Sequence, residues 1–192
     1  TMAVLHFDIE NASTVKAAAY WAGDSRCYAL TPSRGLMQLT KDDLISTGDA
    51  LVNLRDDSPL SNCISLDNDF TVNFRPISNI KSAMVICATD GAFGYLPTPM
   101  HFEYYILKTL AEARSIDDWK TNLARILEKY AADDVTFVLY SFEKDFDTLQ
   151  NQYRQRLSAL HTDIDRIDHA ATDKLSAVKA EVWEKYKANY YP

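Results

Sequence analysis

Two short, almost continuous apolar runs constrain the fold of this chain more than any other feature. Met84–Thr89 and Val135–Phe142 are each long enough for one strand, and neither alternates polar with apolar residues. Runs of this length and composition are typical of β-strands that are buried on both faces. The sequence therefore predicts a sheet whose central strands are covered on both sides by other elements.

The segment between these two runs has the length and the punctuation of two α-helices. Thr98–Ala113 carries Pro99 in its first turn, where a missing N–H leaves no helical hydrogen bond unmade. Ser115–Ala131 begins with a favourable N-cap residue and has Asp117 and Asp118 in its first turn, where the helix dipole favours negative charge. We therefore expect two helices between the two buried strands.

Short apolar segments upstream predict five further strands. They alternate with turn residues, and Pro32 and Gly35 between two of them favour a hairpin. Residues 46–68 are instead expected to form a loop-rich connection. The predicted fold class is α+β, with helices covering a mostly antiparallel sheet system. The predicted strands are Met2–Asp8, Val15–Ala22, Arg26–Leu30, Leu36–Thr40 and Asp69–Phe74, the last with Phe70, Val72 and Phe74 on one face.

Residues 143–192 differ from the rest of the chain because they contain no glycine and only a terminal proline. Their apolar residues are spaced by three or four, which predicts a helix with a seam close to that of a coiled coil. One continuous helix of about 45 residues would extend roughly 65 Å, well beyond a small globular body. The apolar positions are Leu149, Tyr153, Leu157, Leu160, Ile164, Ile167, Ala171, Leu175, Val178 and Val182.

Two arrangements of this tail are consistent with the spacing. A continuous helix would pair with a second copy of the chain or with a helix of another protein through residues 149–190. Alternatively, a helical hairpin would fold back on the domain, although no Gly or Pro marks a turn. We therefore divide the chain into a globular domain, residues 1–142, and a helical, coiled-coil-like extension, residues 143–192.

The charge and the cysteines exclude several classes of protein. The 192 residues carry a net charge of −7, and almost all of the acidity lies in residues 1–142. Nucleic-acid-binding proteins need a clustered positive face, and membrane spans need about 18 apolar residues, so neither partner is expected. Cys27, Cys63 and Cys87 are odd in number and widely spaced, which is typical of buried, reduced thiols in a cytoplasmic protein. The four histidines lack the spacing of a zinc site.

Acidic residues next to predicted strands are the candidate chemical groups. Asp90 follows the run that ends at Thr89, Asp133 precedes the last strand, and Asp24 lies between two predicted strands. Carboxylates that converge at strand ends repel one another unless a cation intervenes, and oxygen-only ligation favours Mg²⁺ or Mn²⁺. Each residue also has a simpler interpretation: a turn at Asp90, a helix end at Asp133, and a surface ion pair between Asp24 and Arg26.

The order of four segments sharpens this interpretation. WAGDSRCYAL, LMQLTKDDL, VICATDGAFGYL and AADDVTFVLY occur in that order within residues 1–142. Together they resemble the type 2C (PPM) family of metal-dependent serine/threonine protein phosphatases, whose motifs are GDSR, LTxDH, SDG and DN-x-[ST]. The resemblance implies two antiparallel β-sheets sandwiched between helices. It also implies hydrolysis of phosphoserine and phosphothreonine on phosphoproteins by a water activated at a binuclear Mg²⁺ or Mn²⁺ site.

The resemblance assigns roles to three residues. Asp90 matches the aspartate of SDG and Asp133 that of DN-x-[ST], so both are implied catalytic metal ligands. Asp24 matches the GDSR aspartate, which helps to hold an additional ion in many members, so that two or three ions are implied. The chain departs from the family pattern at four positions: Thr89, Asp134, Asp43 at the histidine position of LTxDH, and Gly94.

A larger departure is the absence of the family's upstream DG(H)GG segment. The chain opens inside a predicted strand with Thr1 rather than Met, so we expect the segment that supplies the rest of the binuclear site to lie upstream. Three hypotheses follow. The chain is part of an active phosphatase, it is a catalytically inactive phosphatase-like binding or scaffold module acting through its C-terminal helix, or it is a structural protein built around a coiled-coil tail.

Overall fold

The computed structural model describes residues 1–11, 14–46, 48–54, 58–66, 69–78, 80 and 84–191. The strands are β1 (Met2–Asn11), β2 (Thr14–Ala22), β3 (Arg26–Thr31), β4 (Gly35–Gln38), β5 (Asn73–Ile77), β6 (Met84–Ala88) and β7 (Phe137–Ser141). The helices are α1 (Ala50–Asn53), α2 (Pro99–Glu112), α3 (Ile116–Glu128), α4 (Phe146–Asp168) and α5 (Leu175–Tyr190), with a 3₁₀ turn at Asp90–Ala92. Asp56 and Asp57 of the expected loop-rich connection lie outside the described residues.

The strands form two sheets, and this confirms the predicted α+β class. The first sheet has the order β1-β2-β5 and the second the order β4-β3-β6-β7, and every pairing is antiparallel. Small residues such as Ala17, Ala19 and Ala29 fill the layer between the sheets together with Trp21 and Val85. The opposite face of the second sheet packs against α2, α3, α4 and α5 in one larger core.

The two apolar runs that constrain the fold behave differently. β6 lies between β3 and β7 and is almost entirely buried, as predicted. β7 was expected to be buried on both faces, and this is wrong: inward Phe137 and Leu139 alternate with exposed Val138 and Tyr140. The physical reason is its position, because β7 pairs with β6 alone among the described strands and forms the edge of the sheet.

The strand predicted at Asp69–Phe74 is displaced along the chain. β5 begins at Asn73, and Phe70, Val72 and Phe74 are all more than two-fifths exposed. Asn73, Arg75 and Ile77 are the half-buried positions of the strand, so the alternation of aromatic residues marks its outer face. There the Phe74 ring packs against Tyr20, with 5.2 Å between ring centroids.

The two helices between β6 and β7 are confirmed. The Ser115 hydroxyl accepts a hydrogen bond from Asp118 N, as expected of an N-cap. The indole of Trp119 on α3 donates to the carbonyl of Ile106 on α2 and fixes the two helices against each other. No helix among the described residues is long and apolar enough to cross a membrane.

The tail is helical, but the continuous helix is wrong. α4 ends at Asp168, a turn in which Lys174 N donates to Ala171 O reverses the chain, and α5 returns along the domain. Leu149, Leu160 and Ile164 are buried in the same core as the helices between β6 and β7. The apolar seam therefore packs against the chain's own domain, which is the hairpin arrangement.

Polar anchors, which periodicity does not reveal, hold this hairpin in place. The Tyr153 hydroxyl on α4 donates to Leu30 O and accepts from Met84 N, so it joins β3 to β6 where their ladder ends. On α5, the Trp183 indole donates to the Asp49 carboxylate at 2.8 Å. These bonds connect the tail to two separate parts of the domain.

The strongest anchor is a buried carboxylate on α2. Glu103 is fully buried and accepts hydrogen bonds from Arg156 on α4 at 2.5 and 2.9 Å, and from the Tyr186 hydroxyl on α5 at 2.5 Å. It also accepts from Leu36 N at the start of β4. One carboxylate thus joins three helices and a strand. Each of these hydrogen bonds replaces one that the Glu103 carboxylate would make to water. Removing a partner would therefore leave its buried charge without full compensation.

We predict that Glu103→Ala lowers the free energy of unfolding by about 3–5 kcal/mol, the usual cost of breaking a buried ion pair. Urea denaturation followed by circular dichroism measures the change. Glu112→Ala, at an exposed position of the same helix, is the matched control and is expected to change stability by less than about 0.5 kcal/mol. Equal losses in the two variants would contradict a special role for Glu103.

Candidate functional site

Asp24 and Asp90 lie at the same edge of the second sheet. In the β3–β6 ladder Arg26 faces Ala88; Asp24 lies two residues before Arg26, just ahead of β3, and Asp90 lies two residues after Ala88, just beyond β6. Antiparallel pairing therefore brings the two carboxylates towards each other. Burial, and next the negative charge of Asp90, raises the pKa of Asp24 above its ordinary value. The structure thus brings two of the three aspartates singled out in the sequence to the same end of the β3–β6 ladder.

The third aspartate lies in a backbone segment that packs against the same turn. Thr89 N donates to Thr136 O, and the Thr89 hydroxyl accepts from Thr136 N at 3.1 Å. The same hydroxyl lies 3.2 Å from Asp134 O. Asp133 itself is exposed, and its carboxylate accepts from Asp134 N at 2.7 Å. The structure therefore places Asp133 beside the Asp90 turn with its carboxylate engaged by its own backbone.

Two glycines make this close packing feasible. A Cβ at Gly91 would lie 2.4 Å from Asp134 O, so only glycine lets the two segments approach. A Cβ at Gly94 would lie 2.9 Å from Asp90 O, which accepts a hydrogen bond from Gly94 N. Gly94, noted in the sequence as a departure, thus closes the turn that carries Asp90.

Asp43 is a positioning residue that its sequence context did not reveal. Its carboxylate accepts from Gly23 N at 3.0 Å, from Asn62 Nδ2 at 2.6 Å and from Asn73 Nδ2 at 2.9 and 3.1 Å. Its own N–H donates to Gly23 O. Asp43 therefore fixes both backbone groups of the residue that precedes Asp24. The only signal in the sequence was that Asp43, a hydrogen-bond acceptor, stands at the histidine position of the LTxDH motif.

Arg26 does not form the surface ion pair with Asp24 that the sequence left open. It is 3% exposed and makes two hydrogen bonds to Asp42, at 2.6 and 2.8 Å. Its guanidinium also lies 4.2 Å from the centroid of the Phe93 ring, just after the Asp90 turn. A buried bidentate pair of this kind holds the segment that contains Asp42 and Asp43 against the base of the site.

The donor set suits a hard cation but is incomplete. Among the residues that the structure describes, no group of three or more His, Cys, Asp or Glu side chains is arranged to hold a metal ion. Asp24 and Asp90 are the pair whose charges act on each other, and Asp133 is not grouped with them. Two carboxylates whose charges repel each other fit Mg²⁺ or Mn²⁺ in chemistry, but they supply only part of its oxygen shell.

A cavity of about 360 Å³ opens beside the Arg26–Asp42 pair. Its lining includes two cations, Lys41 and Arg75, and two carboxylates, Asp42 and Asp49. Both carboxylates are already engaged, Asp42 by Arg26 and Asp49 by Trp183. The cavity therefore carries two cationic side chains beside two carboxylates that already accept hydrogen bonds from other groups.

Solved structures with a similar fold are bacterial phosphatases. The serine/threonine phosphatase Stp1 of Staphylococcus aureus is 19% identical with a TM-score of 0.53, over 67% of this chain and 52% of that one. The chain shares the fold of these phosphatases. The serine/threonine phosphatase of S. agalactiae is 16% identical with a TM-score of 0.53, over 67% of this chain and 55% of its own. A bacterial serine phosphatase is 20% identical with a TM-score of 0.51, over 68% and 54%.

The chain thus spans about half the length of the solved phosphatases that it matches. No protein-family model matches it, and no curated protein does. At these identities the likeness extends to the fold, and the chemistry has to be argued from the residues themselves.

We predict that Asp24→Asn raises the melting temperature in the absence of divalent cations at pH 7. A raised folded-state pKa means that ionised Asp24 destabilises the fold at pH values above that pKa. The gain should therefore disappear as the pH falls below the unfolded-state value of about 3.9, where Asp24 is protonated in both states. Thermal unfolding in EDTA between pH 3.5 and 7 measures it.

The matched control for this prediction is Asp133→Asn, because Asp133 is exposed. It is expected to leave the melting temperature almost unchanged across the same pH range. A destabilised Asp24→Asn at pH 7 would contradict an unfavourable charge at this position.

Proposed function

We propose that the chain is the metal-binding part of a serine/threonine protein phosphatase. It would hydrolyse phosphoserine and phosphothreonine by a water activated at a binuclear Mg²⁺ or Mn²⁺ site, with Asp90 and Asp133 as carboxylate ligands and Asp24 as a ligand of an additional ion. The observation that carries the proposal is the meeting of Asp24 and Asp90 at one sheet edge, where the negative charge of Asp90 raises the pKa of Asp24. Such an arrangement destabilises a fold unless a cation offsets it.

The chemistry of these groups supports a divalent ion. A pair of hard cations lowers the pKa of a shared water and orients it for in-line attack on phosphorus. In this chain Asp24 and Asp90 would hold the ions, while Asp43 and the Arg26–Asp42 pair keep the turn around Asp24 in place. Asp133 would join them after its carboxylate releases Asp134 N.

The extent of the match to solved phosphatases affects the activity that is expected of this chain by itself. Its described residues bring together two carboxylates, and the matched part of this chain spans only about half of each solved phosphatase. We propose that oxygen ligands besides these two complete the site before the enzyme is active. The alternative, an inactive binding module that acts through its tail, has to explain why an unfavourable pair of carboxylates is present.

Manganese binding tests the proposal directly. We expect the chain to bind Mn²⁺ in isothermal titration calorimetry, and Asp90→Asn to weaken that binding more than about tenfold by removing a ligand. Glu112→Gln, an exposed change of equal charge on α2, should bind like the wild type. Wild-type affinity in Asp90→Asn, or no binding by the parent chain, would favour the inactive module.

The cavity that contains Lys41 and Arg75 is the proposed docking site for an acidic substrate. We expect Arg75→Gln to weaken binding of a phosphothreonine peptide about tenfold or more, since a hydrogen bond to a charged group contributes about 1.5–3 kcal/mol. Fluorescence anisotropy in EDTA measures binding without catalysis. Arg34→Gln, in the exposed β3–β4 turn, is the control. Equal affinity in the two variants would exclude the cavity as the docking site.

A further inference from the structure

Two cysteines face each other across the centre of the second sheet. Cys27 on β3 and Cys87 on β6 are direct register partners, and their sulfur atoms lie 3.6 Å apart. They are 60 residues apart in the chain, so no feature of the spacing suggested the pairing. Cys63, the third cysteine, is exposed rather than buried as the sequence predicted.

The backbone geometry at this pair is the kind that a disulfide can span. Cys27 N donates to the Thr40 hydroxyl, and Cys27 O accepts from Leu39 N. Because both polar groups of Cys27 point away from β6, Cys27 and Cys87 form a non-hydrogen-bonded pair. Such pairs have Cα atoms about 4.5 Å apart, inside the range of about 4.4–6.8 Å found for disulfides.

The two thiols are not equivalent. Cys27 is fully buried in the layer between the sheets, whereas Cys87 is partly exposed. The hydrogen bond from the Cys27 sulfur lowers the pKa of Cys87, while the same bond and burial raise the pKa of Cys27. The partly exposed Cys87 thiol therefore has the lower pKa and ionises more readily, and the Cys27 thiol lies next to it.

We propose that Cys27 and Cys87 form a reversible intrachain disulfide when the protein meets hydrogen peroxide. The Cys87 thiol attacks one peroxide oxygen, the O–O bond breaks, and Cys87 sulfenic acid and one water form. The Cys27 thiol then attacks the Cys87 sulfur, the S–OH bond breaks, and the disulfide and a second water form. Overall, two thiols are oxidised by two electrons and one peroxide is reduced to two waters.

The proposed disulfide lies close to the candidate metal site, although it would form whether or not that site binds a metal. Cys27 lies three residues after Asp24, and Cys87 three residues before Asp90. A disulfide would therefore fix β3 to β6 just below the edge where the two carboxylates meet. It would also close a large loop in the unfolded chain, which raises the melting temperature.

The test uses the full chain treated with hydrogen peroxide, then N-ethylmaleimide, and non-reducing peptide mapping by mass spectrometry. We expect a Cys27–Cys87 cross-linked peptide 2 Da lighter than the sum of its thiol forms. The oxidised protein should melt at a higher temperature, and dithiothreitol should reverse both changes. None of these readouts requires phosphatase activity, so the result is independent of the proposed function.

Three variants make the outcome decisive. Cys63→Ser should keep the cross-link, whereas Cys27→Ser and Cys87→Ser should each abolish it, and circular dichroism verifies that each variant is folded. The proposal is overturned if Cys87 proceeds to sulfinic acid while Cys27 stays reduced. It is equally overturned if the disulfides that form all join Cys63 to another chain.

Discussion

The fold depends on the buried carboxylate of Glu103. It satisfies Leu36 N at the start of β4 and receives Arg156 and Tyr186 from the two tail helices. Without it the helical hairpin would keep its apolar seam but lose the contacts that fix its direction. Because the hairpin covers the outer face of β3 and β6, Glu103 indirectly holds the two strands whose ends carry Asp24 and Asp90.

The candidate metal site differs from Glu103 in how its charges are balanced. Where Glu103 is paired with Arg156, Asp24 and Asp90 lie close enough for the charge of Asp90 to raise the pKa of Asp24, and the nearby Arg26 is paired with Asp42 instead. Asp43 fixes the turn before Asp24, and Gly91 and Gly94 allow the chain to close tightly around Asp90. Rigid positioning of an electrostatically unfavourable pair is the usual sign of a site built for a ligand.

The local sequence pattern predicted most of the strands and helices, and it failed where contacts between distant residues determine the structure. The strand ends at Asp24 and Asp90, and both helices between β6 and β7, follow from apolar runs and N-cap chemistry. The sequence left the reversal near Ala171 as one of two alternatives, because no Gly or Pro marks it and the polar contacts that hold the hairpin join residues far apart in the chain. The edge position of β7 was equally hidden, since a strand's sequence does not specify how many neighbours it has.

The central claim is that the edge formed by Asp24 and Asp90 binds a divalent cation. The most direct measurement is a crystal structure of the chain soaked in Mn²⁺, with anomalous scattering data collected at the manganese absorption edge. We expect an anomalous peak within coordination distance of both carboxylates. A map with no peak there, or with manganese only at exposed acidic residues of the tail, would contradict it.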